Sequence, residues 1–150
     1  MPQAPTLTGQ DIGEAEGAVR GLLDRILAGT GITSSQYIAL RVLALRDPFE
    51  SPAALHEYLA GQRQLGLDRP GVAALLADLE ARGLISGSAA DGPGPTQLTA
   101  EGAALHARLG EAVAAVTRRL YAEFDRGDLE TAHRVLAQVV ERASRLRGEL

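Results

Sequence analysis

The sequence predicts a mainly α-helical fold that includes one short β-hairpin, and three observations carry that prediction. Apolar residues recur every three or four positions through three long segments, at both ends of the chain. The middle is cut into shorter helical stretches by Pro and Gly, each preceded by Ser, Thr or Asp at a capping position. A run rich in Gly and Pro, SGSAADGPGPT, separates two short strand-like pairs and suits a hairpin tip, not a helix.

The elements follow in order. Ile12, Ala15, Val19, Leu22 and Ile26 form the stripe of a first helix, widened by Leu23 and Leu27 and closed by Gly29 and Gly31. Thr33 and Gln36 make a capping box, so a second helix runs through Tyr37, Leu40, Leu43 and Ala44 to about Arg46, where Asp47 and Pro48 break it. Ser51 and Pro52 restart it as N-cap and first helical residue, with Leu55, Tyr58 and Leu59 inward. Residues 61–66 read as a bend or a ragged helix end. Asp68, Arg69 and Pro70 open a fourth helix with Val72, Leu75, Leu76 and Leu79 on its buried face and Gly83 at its end. Leu84 with Ile85, and Gln97 with Leu98, read as the two short strands.

A long helix then runs from about Ala100 to Asp125 on Leu105, Leu109, Val113, Val116, Leu120 and Phe124, a rod of roughly 39 Å. Gly127 is expected to end it and Asp128 to cap the last helix, whose stripe is Leu129, Ala132, Leu136, Val139, Ala143 and Leu146, flanked by Val135 and Val140. Such terminal helices cannot bury their apolar faces on so small a domain. A homodimer with interleaved terminal helices satisfies them. Short helix, bend, second helix and two-stranded hairpin is the order of a winged helix-turn-helix. The expected division is residues 1–32 and 100–150 for dimerisation and 33–99 for a DNA-binding lobe.

Composition bounds the function. A chain of 150 residues allows one ordinary domain or two small lobes sharing a core, not a large multidomain enzyme. With 45% hydrophobic and 23% charged residues it can bury a core, which 3% aromatics leaves to Leu, Val, Ile and Ala. The absence of Cys excludes a disulfide scaffold, a thiolate metal site and a cysteine redox switch. No apolar run approaches the ~20 residues of a membrane span, and MPQAPTLTGQ lacks the layout of a signal peptide. A cytoplasmic protein with no membrane partner is expected. His56, His106 and His133 lack helical metal-site spacing, and neither a nucleophile elbow nor a phosphate-cradling glycine loop occurs, so no enzyme, metal or cofactor is expected.

The stretches ITSSQYIALRVL, LHEYL, LGLDRPGVAALLADLEARGLI and QLTAEGAALHARL resemble the MarR family of bacterial transcriptional regulators, over roughly residues 8–147. Most specific are Leu79, Glu80, Gly83 and Leu84 at the end of the fourth helix, then Leu98, Thr99, Glu101 and Gly102 after the wing. The resemblance implies a homodimer whose two lobes grip adjacent major grooves of double-stranded DNA, wings at the minor groove, and a small-molecule effector between each lobe and the dimerisation helices. It places Tyr37, Arg41 and His106 in that ligand site, where each is equally explained as a core-edge residue with a satisfied hydrogen bond.

For DNA, the first turn of the fourth helix carries Arg69, which suits a phosphate or a guanine edge, or else an ion pair with Asp68 or another nearby carboxylate. Arg63 and Gln64 lie in the preceding bend, which can be simply solvated. Ser51 can touch phosphate, though capping alone explains it. Ser88, Thr96 and Gln97 are polar wing residues that a plain hairpin also accommodates. Arg118 and Arg119 are expected to form surface ion pairs with residues such as Glu123.

Where the family usually carries Ser, Thr and Arg on the recognition helix, this chain has Gly71, Ala73, Ala74 and Asp78, and no arginine occurs between Arg82 and Arg108. The chain has 15 Arg and no Lys, and residues 33–108 hold six Arg against eight acidic groups, half of the net −4. Two readings follow: a dimeric, ligand-responsive regulator of a pseudo-palindromic operator, or a degenerate winged-helix dimer serving as a ligand-binding or protein-interaction module with weak DNA affinity.

Overall fold

The computed structural model describes residues 2–150. The chain divides into two compact units, one extending to Val113 and one over Ala114–Leu150. The first holds α1 (Gly9–Leu27), α2 (Ser34–Leu45), α3 (Pro52–Ala60), α4 (Arg69–Ala81), β1 (Ile85–Ser86), β2 (Gln97–Leu98) and the start of α5 (Ala100–Tyr121). The second holds the rest of α5 and α6 (Arg126–Glu149).

Local chemistry sets the helix starts. Thr8 and Asp11 form a reciprocal capping box on α1, which the apolar stripe alone does not disclose. Thr33 and Gln36 do the same for α2, at 3.1 and 3.0 Å. Ser51 Oγ accepts from Ala54 N at 3.2 Å, ahead of Pro52 in the first turn of α3. Asp68 Oδ1 accepts from Gly71 N at 2.8 Å on α4. The core between these helices is aliphatic: Leu40, Leu55, Leu59, Val72, Leu76 and Leu79 are fully buried, and Leu27 and Leu109 join them.

α4 ends in a Schellman turn. Gly83, at φ +76°, donates to Glu80 O at 2.9 Å, and Leu84 donates to Leu79 O at 3.0 Å. That occupies Leu84, so β1 starts at Ile85, one residue later than expected. The strands are antiparallel, with Ile85 opposite Leu98 and Ser86 opposite Gln97. Leu84 O accepts from Thr99 N at 3.1 Å, while the Thr99 hydroxyl donates to Gly83 O at 2.6 Å and accepts from Gly102 N at 3.0 Å. The residues that carry the family resemblance are thus one backbone junction, joining α4, the wing and α5.

In the second unit the break between helices differs from expectation. α5 stops at Tyr121, and Asp125, not Asp128, caps α6 by accepting from Asp128 N at 3.1 Å. Gly127 therefore lies inside the first turn of α6, and Asp128 is an acidic first-turn residue that suits the helix dipole. Glu123 falls beyond the end of α5, off the i,i+4 lattice. Among the described residues neither Arg118 nor Arg119 forms an ion pair, and the pairs in this unit are Arg126–Glu130 and Arg145–Glu141. No residue of α6 is buried, and Leu136, Val139, Val140 and Leu146 are exposed. Among the described residues no helix is long and apolar enough to cross a membrane.

Candidate nucleic-acid interface and effector site

α4 buries Val72, Leu76 and Leu79, which leaves Arg69, Ala73, Ala74 and Ala77 open to solvent. The turn before it is pinned by buried Leu65, and Gly66 supplies the left-handed conformation (φ +61°). Arg63 and Gln64 are exposed on that turn. The Gln64 carbonyl accepts from Arg20 Nη2 of α1 at 2.6 Å, and Arg20 is itself paired with Glu16 at 3.2 Å.

Most acidic groups on or beside α4 have internal partners. Asp68 caps the helix. Asp78 accepts from Gln36 Nε2 at 2.6 Å and pairs with Arg82 Nε at 3.1 Å. Arg82 also donates to Gly31 O at 2.6 Å, tying α4 to the loop after α1. Glu80 Oε1 accepts from Ser88 N at 3.1 Å. The family-atypical Asp78 is therefore a tie between α2 and α4, and its charge is answered by Arg82.

The wing is held close to the lobe. Ser88 and Thr96, expected on its polar face, are instead 5% and 6% exposed, because both serve the turn of the hairpin. Thr96 Oγ1 donates to Gly87 O at 2.7 Å. The Ser88 carbonyl lies 2.6 Å from His56 Nε2, which must carry the proton to donate to it. Gly92 N donates to Ala89 O at 2.9 Å, and a β-carbon at Gly92 would lie 3.9 Å from Pro52 Cγ. Ser51 is half-buried and occupied as a cap, whereas Gln97 is exposed on β2. Of the residues expected at DNA, Arg63, Gln64, Arg69 and Gln97 thus keep exposed side chains. The tie from His56 was not legible in the sequence, since its partner lies 32 residues away.

Tyr37, Arg41 and His106 meet at a second place. The buried Tyr37 ring stacks on His106, with centroids 5.8 Å apart and planes 23° apart. Arg41 follows Tyr37 by one turn of α2, and a β-carbon at Gly110 of α5 would lie 3.9 Å from the Tyr37 hydroxyl. His106 Nε2 is buried with no hydrogen-bond partner among the described residues. Burial, and then the Arg41 charge, hold the His106 pKa below 6.5. The site thus offers a neutral imidazole, a phenol and an exposed guanidinium. A further cavity of about 580 Å³, lined by Leu45–Glu50 and Ala54, was not expected from the sequence, where Asp47 and Pro48 read only as a helix break. Arg46, one of its lining residues, has its guanidinium 4.4 Å from the Tyr58 ring centroid. Among the described residues no group of His, Asp or Glu is placed to hold a metal.

No protein-family profile matches the chain, and no curated protein matches it. Its fold matches solved structures closely. Ligand-free NadR superposes with a TM-score of 0.76 at 23% identity, over 95% of this chain and 99% of that one. NadR in complex with 4-hydroxyphenylacetate gives 0.68 at 25% identity, over 93% and 97%. The Mycobacterium tuberculosis MarR family protein Rv2887, in complex with DNA, gives 0.64 at 25% identity, over 89% and 98%. The fold is a winged helix-turn-helix bearing long terminal helices. That fold is similar to the fold of the MarR family protein Rv2887.

Proposed function

We propose that the chain is a homodimeric MarR-type transcriptional regulator that binds a pseudo-palindromic operator in double-stranded DNA and answers to a small-molecule effector. It works by binding, not catalysis, in the cytoplasm. The observation that carries the reading is α4, buried on one face and open on the other, with Arg69 in the first turn, where helix N-terminus and guanidinium both favour phosphate. Rv2887, of the same fold, is known in complex with DNA. Residues 33–99 form the DNA lobe in this reading, and residues 1–32 and 100–150 pair with a second copy. The exposed Val19 and Leu22 of α1, and Leu136 and Val140 of α6, supply the apolar surface for that pairing. Two-fold symmetry then sets the half-sites about one helical turn, roughly 34 Å, apart.

The effector would lie at Tyr37, Arg41 and His106 and bias the separation of the two lobes, a population shift. NadR binds 4-hydroxyphenylacetate, which makes phenolic acids the first compounds to try. The second reading, a winged-helix dimer with little DNA affinity, is favoured by the alanine-lined face of α4 and the arginine-free wing. An electrophoretic shift with the DNA upstream of the protein's own gene, at low salt, separates the two. Retardation at or below micromolar dimer supports the regulator; none at that concentration leaves the second reading.

A further inference from the structure

The cation at the head of α4 already has a partner. Arg69 Nη2 lies 3.3 Å from Glu57 Oε1 of α3, and the two side chains are 77% and 75% exposed. The other carboxylates of α4 and its cap are held by partners within the lobe: Asp68 accepts from Gly71, Asp78 from Gln36 and Arg82, Glu80 from Ser88. Glu57 differs. Among the described residues its carboxylate has no partner besides Arg69, and nothing about the fold requires the pair. Exposed pairs of this kind hold weakly, because water solvates both ions well.

A guanidinium takes carboxylate and phosphate oxygens with the same fork of N–H groups. A DNA phosphate approaching α4 therefore competes with Glu57 for one donor set. Once displaced, the Glu57 carboxylate is left facing a polyanion. Both effects act in the same direction.

We propose that Glu57 is a competitive restraint on DNA binding: its carboxylate occupies Arg69 in the free protein and gives that guanidinium up to a phosphate in the complex. This rests on the regulator reading, since it needs α4 at DNA. It accounts for part of the acidic excess of the lobe by a single residue at a single contact. It also makes Glu57, and not the alanines of α4, the position where affinity is most easily raised.

The test uses the duplex that the unmodified protein selects from a randomised pool, with binding followed by fluorescence anisotropy over a range of salt. The variants are Glu57→Gln, Arg69→Ala and the two combined, each checked for an unchanged thermal midpoint. Glu57→Gln is expected to bind roughly two- to twentyfold more tightly, since a dimer releases two weak pairs, and with a steeper salt slope. In the Arg69→Ala background the gain should shrink to the part that comes from repulsion between the Glu57 charge and DNA. Unchanged or weaker binding by Glu57→Gln overturns the proposal, as does a gain that survives in full without Arg69. Failure of the unmodified protein to select any duplex would sink the regulator reading itself, a result distinct from selection followed by an indifferent Glu57→Gln.

Discussion

At Gly102 the backbone of α5 passes so close to Leu84 that a β-carbon would run into the Leu84 carbonyl, which already accepts from Thr99. Gly102→Ala must push two bonded segments apart, and we expect a loss of about 2–3 kcal/mol in denaturant unfolding. Gly17→Ala on α1 meets open space and should instead stabilise by about 0.5–1 kcal/mol. At the proposed effector site, burial and the Arg41 charge keep His106 neutral below its ordinary 6.5. The unfolded chain then binds the proton first as pH falls. The stability contributed by the neutral imidazole is fully present above 6.5 and is lost as pH drops towards the folded value. NMR titration should find His106 below 6.5, and Arg41→Gln should move it upward. Residues whose work is local were legible in the sequence: Thr33, Ser51 and Asp68 cap as their spacing predicts. Ser88 and Thr96 were not, because burial of a hairpin's polar side chain depends on what the turn bonds to. Asp78 and Arg82 were not either, since their partners Gln36 and Gly31 lie 42 and 51 residues away in the chain.

Among the elements, α4 is positioned from both ends by the N-terminal part of the chain. Arg20 of α1 holds the turn before it through Gln64 O, and Arg82 at its own end holds Gly31 O, each at 2.6 Å. These two bonds tie α1 and the loop after it to the two ends of the helix proposed to meet DNA. Arg20→Ala removes the first tie, a charge-assisted bond of about 1–2 kcal/mol. Amide exchange at Leu65 and Gly66 should quicken while that of Leu76 and Leu79 in α4 stays slow. Equal quickening at all four amides would count against a local tie. The order of elements was readable because each boundary up to the wing carries its own cap or breaker. The junction of α5 and α6 was misplaced because two aspartates, Asp125 and Asp128, both fit the N-cap pattern, and the first one takes the role.

At the scale of the whole molecule, the single chain leaves large apolar side chains in water. These include Val19 and Leu22 on α1, and Leu136, Val139, Val140 and Leu146 on α6. Sedimentation should therefore give twice the 15.7 kDa chain mass, and Leu136→Asp, placing a charge in that apolar row, should shift the equilibrium towards monomer. Charge at this scale is mildly adverse to DNA, with a net −4. Several of the acids that contribute to it are tied to internal partners, which composition could not disclose. The central claim is that two such lobes read DNA together. Hydroxyl-radical footprinting on the selected duplex tests it most directly. The account predicts two protected segments related by two-fold symmetry, centred about one helical turn, roughly 34 Å, apart. A duplex left uniformly cleaved at saturating protein, or a single unpaired protected segment, would contradict it.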